Sequence, residues 1–63
     1  MNLQEVLNAI PLSEYVKVIS HTPKIVKYAG VVNELICRTF LIHGRKVMKI
    51  HYSKKENCII IEV

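Results

Sequence analysis

Five side chains of this chain belong to the types that bind metal ions or act in covalent catalysis: His21, Cys37, His43, His51 and Cys58. None of them stands in the CxxC, HxxxH or HxE spacing that brings metal ligands together. A structural zinc site needs four ligands close in space. The spacing therefore favours histidines in turns or on a strand surface and partly buried thiols, and we predict no metal or other cofactor.

A nucleophilic pair of Cys58 and His51 across the last predicted hairpin is the remaining catalytic arrangement. A catalytic thiol needs an oriented base and a pocket. A chain of 63 residues with one short helix leaves little room for a cavity of about 300 Å³. Gly30 and Gly44 are the only glycines, which excludes a glycine-rich phosphate loop. We predict that the protein is not an enzyme.

A basic sheet face is the next candidate for chemistry, because Lys17, Lys27 and Lys49 share it with Tyr15. Single-stranded nucleic acid binds such faces when aromatic side chains stack on the bases. The net charge of +4 permits this function but is also an ordinary charge for solubility. With Tyr15 as the one aromatic residue on this face, the pattern favours lysines that keep the sheet soluble and guard its edges.

The length and composition indicate one domain, residues 1–63, with more apolar surface than one small core needs. A chain of this size buries only about 60% of the surface that its unfolded form exposes. Its residues are nevertheless 51% hydrophobic. Small domains commonly gain stability from a disulfide, a metal or a partner subunit. We therefore expect association with a partner.

The start of the chain, MNLQE, lacks the pattern of a secretion signal, and no apolar run approaches the ~18 residues of a membrane span. We expect a cytoplasmic protein that does not contact membranes. A disulfide between Cys37 and Cys58 is not expected in that compartment.

The helices and strands that position these residues are predicted from hydrophobic periodicity and from capping and turn residues. Asn2 and Glu5 form a capping-box pattern, and Pro11 ends the helix that they start. His21-Thr22-Pro23 predicts a hairpin turn, and Gly30 suggests a bulge or a strand end. Residues 33–42 fit either a short helix, which we favour, or an irregular crossover. The predicted elements are a helix over 2–10 and strands over 13–20, 24–32, 46–53 and 58–63.

This order predicts an α+β fold, with the short N-terminal helix packed on a mostly antiparallel four-stranded sheet. Alternation divides each strand into two rows. The row that we place under the helix is Val16, Val18, Val26, Tyr28, Met48, Ile50, Tyr52, Ile59, Ile61 and Val63. The last strand, CIIIEV, is apolar on both faces and should be central, because an exposed edge of this kind invites aggregation.

The outer face carries apolar residues that the helix cannot cover: Tyr15, Ile19, Ile25, Val47, Cys58 and Ile60. A contiguous apolar patch marks an interaction site. We therefore expect a homodimer through this face. The alternatives are that residues 33–45 fold back over it or that a different protein covers it.

The chain also resembles small uncharacterised proteins of phages and prophages of Gram-positive bacteria. Their general pattern is an "LxExLxxL" helix, an "xYxGxVxxL" segment and a closing "VxxIxxxxxxLxIxV". The matching pieces here are LQEVLNAI (3–10), KYAGVVNEL (27–35) and VMKIHYSKKENCIIIEV (47–63). These motifs consist mostly of core positions, and residues 36–45 are more apolar and more basic than the usual acidic linker.

The resemblance implies an accessory protein of a phage, used for host takeover or against host defence, that acts inside a bacterial cell by binding a host protein. Our leading hypothesis is a non-enzymatic interaction protein of this kind, as a homodimer. The alternative is a nucleic-acid-binding module that uses Tyr15, Lys17, Lys27 and Lys49. A purely structural subunit of a larger assembly is the third hypothesis.

Overall fold

A computed structural model describes residues 1–21 and 23–63. The predicted turn at Thr22 lies outside these residues. The described elements, in chain order, are α1 (Leu3–Asn8), β1 (Tyr15–His21), β2 (Lys24–Val31), α2 (Val32–Ile36), α3 (Thr39–Ile42), β3 (Lys49–Ser53) and β4 (Cys58–Glu62). The α+β prediction is confirmed. Within the described part of the chain, no helix is long and apolar enough to cross a membrane.

Helix α1 begins with the predicted capping box. The side chain of Asn2 accepts a hydrogen bond from the Glu5 backbone N–H at 2.9 Å, and the Glu5 carboxylate accepts one from the Asn2 N–H at 3.3 Å. Two N–H groups near the helix start, which have no partner within the helix, are thereby satisfied. The helix ends at Asn8 rather than at Ile10, because Ala9 and Ile10 donate to carbonyls three residues back in a tighter turn.

The four strands form one sheet in the order β2-β1-β4-β3. The pairs β1–β2 and β3–β4 are antiparallel, whereas β1 and β4 are parallel. Two parallel neighbours need a crossover connection, and here β2, α2, α3 and β3 supply it. Strand β4 is central, as predicted for the apolar run CIIIEV.

A β-bulge in the first hairpin changes which face the start of β2 uses. Val18 pairs with Tyr28, but Ile19 pairs with Val26, so that Lys27 is the extra residue. Val26 therefore lies on the outer face with Ile19, and Ile25 lies opposite Ser20 on the inner side. The predicted faces of Val26 and Ile25 were wrong, because strict alternation was extended through an irregularity that flips every residue beyond it.

The core lies between the inner face of the sheet and all three described helices. Its buried residues come from α1, β1, α2, α3 and β4: Leu3, Val6, Leu7, Val16, Val18, Val32, Leu35, Ile42 and Ile61. Residues 33–42 are helical, as we favoured, in the form of two short helices. Since these helices bury Leu35 and Ile42 with α1, the connection covers the inner face and not the outer one.

Tyr28 joins the second strand to the helix that follows it. Its hydroxyl donates a hydrogen bond to the Val31 carbonyl at 2.7 Å. The Arg38 guanidinium lies 5.9 Å from its ring centroid. Burial raises the pKa of the Tyr28 phenol. The ring passes so close to Gly30 that a Cβ built there would lie 2.7 Å from the phenol oxygen.

We expect Gly30→Ala to destabilise the protein by about 1–3 kcal/mol, the usual cost of overpacking, because Tyr28 must move away from its hydrogen bond. Urea denaturation measures this change. In a Tyr28→Phe background the nearest atom is gone, so the same substitution should cost less. An equal cost in both backgrounds would contradict the role of Tyr28 in excluding a side chain at position 30.

Candidate functional site

The outer face of β4 is buried although all the described helices lie on the other side of the sheet. Ile60 is 3% exposed and Cys58 is 4% exposed. In the sheet register, Ile60 lies between Lys17 of β1 and His51 of β3. Opposite residues share a face. The long polar side chains of the neighbouring strands are therefore in position to cover Ile60.

The first part of this cover is an ion pair between Lys17 and Glu56. The Lys17 Nζ donates to Oε1 of Glu56, which lies in the turn between β3 and β4. The backbone N–H of Glu56 donates to the Ser53 hydroxyl at 3.2 Å and so holds the turn. The hydrogen bond to Glu56 is the largest cause that raises the pKa of Lys17 above 10.5. Lysine can lay its hydrocarbon stem on apolar surface while its ammonium stays in water.

The second part is centred on Glu62 of β4, whose side chain is only 16% exposed. His21 of β1 donates from Nε2 to its Oε1, and Nδ1 of His51 lies 3.5 Å from its Oε2. One carboxylate thus joins side chains from the two strands that flank β4. We call Lys17, His21, His51, Glu56 and Glu62 the polar cover.

The six residues proposed for an outer interface do not form one exposed surface. Ile60 and Cys58 lie buried beside the polar cover. Ile25 is on the other side of β2, beyond the bulge. Val47 lies before β3, packs against the inner core and donates its N–H to the Met1 carbonyl at 3.0 Å. Of the set, Tyr15 is 50% exposed, and Ile19 is half-buried on the outer face.

The residues of the nucleic-acid alternative lie on three strands. Lys17 is engaged by Glu56, and Lys49 stands opposite Glu62 in the β3–β4 register. Lys27 is the bulge residue of β2, and Tyr15 pairs with Val31 at the opposite end of that hairpin. The structure therefore places a carboxylate beside two of the three lysines, which reduces the positive potential of this face.

An apolar groove lies on the inner side of the sheet, between α1 and β3. This groove has a volume of about 480 Å³ and includes Met1, Ala9, Ile10, Ile50, Tyr52 and Ile59 in its lining. This volume exceeds the cavity of about 300 Å³ for which we expected little room in a chain of this length. That expectation was wrong, because a cleft at the rim of a small core does not need an enclosing shell.

The groove exists because the helical layer is narrower than the sheet. A helix with its side chains is about 10–12 Å wide and strands lie about 4.8 Å apart, so one helix covers roughly two strands. Leu3 and Leu7 of α1 pack with Val16 and Ile61 on the two central strands. The inner row of β3 remains open, with Ile50 40% and Tyr52 55% exposed.

Two exposed methionines add to this apolar surface, Met1 at the start of the chain and Met48 directly before β3. Met1 is 75% exposed and Met48 is 71% exposed. Methionine adapts its shape to different contacts and is common at binding surfaces. Sequence reasoning placed Met48, Ile50 and Tyr52 under the helix. The signal that could have corrected this was the shortness of the helix itself.

Tyr52 is held in place at the rim of the groove. Its hydroxyl donates a hydrogen bond to the Asn57 side-chain oxygen. Asn57 has a φ of 54° in the tight turn before β4, a conformation that asparagine tolerates better than most residues. A fixed aromatic side chain loses little conformational entropy when it contacts a partner.

Among the described residues, no group of three or more His, Cys, Asp and Glu side chains could hold a metal ion. Cys37 is exposed, Cys58 is buried, and both are free thiols in the described chain. His51 belongs to the polar cover, where it contacts Glu62. The groove is the candidate functional site because it is concave and exposes Ile50 and Tyr52 in its lining.

Neither a family model, nor a curated protein, nor a solved structure matches this chain.

We expect Ile60→Ala to destabilise the fold by about 2–5 kcal/mol, as for other buried isoleucines. Ile25→Ala is the matched control, because Ile25 is 46% exposed and should lose less than about 1 kcal/mol, the span of strand propensity. Urea denaturation monitored by circular dichroism measures both. A small loss for Ile60→Ala would show that the polar cover does not bury this side chain.

We expect Glu56→Gln to lower the urea midpoint at pH 7 and to lose this effect as the pH rises through the folded-state pKa of Lys17, which lies above 10.5. A raised lysine pKa stabilises the folded state below the unfolded value of 10.5. This contribution is lost as the pH rises through the folded pKa. Denaturation of both proteins between pH 7 and 11.5 measures the difference, in which the ionisation of other groups cancels. A pH-independent difference would contradict the ion pair as its cause.

Proposed function

We propose that the protein is a small non-enzymatic interaction protein, carried by a phage, that binds a host protein in the bacterial cytoplasm. The observation that carries this proposal is the groove, with exposed Tyr52, Ile50 and Met1 in its lining. A small soluble domain rarely leaves a contiguous apolar surface uncovered unless a partner uses it.

Burial of the apolar lining of the groove would favour a complex. Each Å² of apolar surface that a partner covers contributes about 25 cal/mol before the cost of association. The ring of Tyr52 is already held, so part of that cost is reduced. The groove thus has the apolar centre that carries most of the binding energy in protein interfaces.

The charge of the chain indicates the kind of host protein. The net charge is +4. Opposite charge on the partner accelerates association and excludes wrong partners. We therefore propose an acidic host protein that inserts an apolar segment into the groove. We also propose that the protein acts as a homodimer, through a surface described below.

We expect Ala9→Glu to abolish capture of the host protein. Ala9 lines the groove from the end of α1, where a glutamate would place a charge against the apolar segment. Asn8→Glu is the matched control, because Asn8 is the neighbouring exposed residue of the same helix end and does not line the groove. Affinity capture from host lysate with mass spectrometry compares the wild type and both variants.

The wild type and Asn8→Glu should retain the same host protein, and Ala9→Glu should retain at least about tenfold less, which corresponds to 1.4 kcal/mol. Circular dichroism checks that each variant is folded. Equal retention by all three proteins, or a loss with Asn8→Glu alone, would contradict binding in the groove.

A further inference from the structure

The two edge strands of the sheet differ in how they are protected. Strand β2 carries Lys24 and Lys27, and its register is broken by the bulge. Charged residues and bulges are the usual protection against pairing with another chain. Strand β3 pairs with β4 in unbroken register from Lys49 to Ser53. Within the part of the chain that the structure describes, nothing pairs with its other edge.

We propose that a second copy of this chain pairs with β3 through that edge, antiparallel and with the two-fold axis at His51. The two β3 strands then form the centre of a continuous eight-stranded sheet, since each copy contributes a four-stranded sheet. The proposal rests on the proposed function in one respect, because the groove of each copy borders the same strand.

The register follows from the residues of β3. With His51 opposite the partner's His51, Ile50 stands opposite the partner's Tyr52, and symmetry repeats this pair. Pairs of aromatic and β-branched residues are favourable across antiparallel strands. Lys49 meets the partner's Ser53, so no two lysines are opposite each other. All five residues of β3 are paired, whereas centring the axis on Ile50 would place Lys49 opposite the partner's His51.

This arrangement places both helical layers on the same side of the joined sheet. The two-fold axis is perpendicular to the sheet, so opposite residues of the two copies lie on the same face of the joined sheet. The groove of one copy then continues into the groove of the other across the paired β3 strands. Two α1 helices stand at opposite rims, and the host segment meets one cleft instead of two separate grooves.

A dimer of this small chain needs a contact that uses a large share of its surface. A standard interface uses about 800 Å² of each partner, and the whole chain exposes 4347 Å². Such an interface would take nearly a fifth of that surface. On β3, the exposed Ile50 and Tyr52 lie directly beside an open strand edge.

Disulfide trapping tests the register. In a background with Cys37→Ser and Cys58→Ala, which removes both native thiols, His51→Cys places two cysteines opposite each other across the axis. Paired strands separate such Cα atoms by about 4.5–5.5 Å, within the range that a disulfide spans. Mild oxidation should convert the 7.3 kDa chain into a covalent dimer of twice that mass on non-reducing gels.

The controls distinguish this register from random collision. Lys49→Cys and Ser53→Cys should each cross-link at least tenfold less than His51→Cys when alone, and a mixture of the two should cross-link. Val26→Cys, on the protected β2 edge, should not. Preferential cross-linking through Val26, or equal cross-linking of all variants, would overturn the proposal.

Sedimentation equilibrium of the unmodified protein tests the dimer without any variant. At about 100 μM, well above a micromolar Kd, the expected mass is twice 7.3 kDa, and a monomer would overturn the proposal. Ile50→Lys should give a folded monomer, and Val26→Lys should remain a dimer. Should the protein be monomeric while Ala9→Glu still loses the host protein, the dimer fails and the proposed binding of a host protein in the groove stands. If the protein is a dimer and Ala9→Glu does not change capture of the host protein, the dimer stands and binding in the groove is overturned.

Discussion

The fold depends on the burial of β4 on both faces. In a chain of 63 residues, a strand with Ile61 fully buried on one side and Ile60 3% exposed on the other must be central and must have two different covers. The parallel neighbour β1 and the antiparallel neighbour β3 provide its place in the sheet. The parallel pairing in turn requires the crossover through α2 and α3, and these helices complete the inner layer beside α1.

The two covers extend over different numbers of strands, and the candidate site lies where the helical cover ends. Helices cover the inner face only as far as β1 and β4, because each helix spans roughly two strands. The outer face is covered by side chains that extend from its own strands and turn, so its cover reaches β3 through His51. Ile50 and Tyr52 are consequently exposed on the helical side of β3, the face that alternation alone predicts to be protected.

The sequence predicted those features that depend on neighbouring residues. The Asn2–Glu5 capping box, the helices in the central connection and the central position of CIIIEV all appear in the structure. It could not predict features that join distant positions. Lys17 and Glu56 are 39 positions apart, and His21 and Glu62 are 41 positions apart. Without these pairs Ile60 looks exposed, and without the bulge at Lys27 the residues beyond it are assigned to the wrong faces.

The polar cover favours the proposed pairing through the β3 edge over a dimer through the outer face. Association through the outer face would bury the carboxylates of Glu56 and Glu62 together with their lysine and histidine partners. Removing such groups from water costs several kcal/mol per ion, and their mutual attraction often fails to offset it. Pairing through the β3 edge leaves the cover in water, supplies partners for the open backbone groups and buries Ile50 and Tyr52. Edge pairing therefore satisfies the apolar excess of the composition, 51% hydrophobic residues, without desolvating the charges that keep β4 covered.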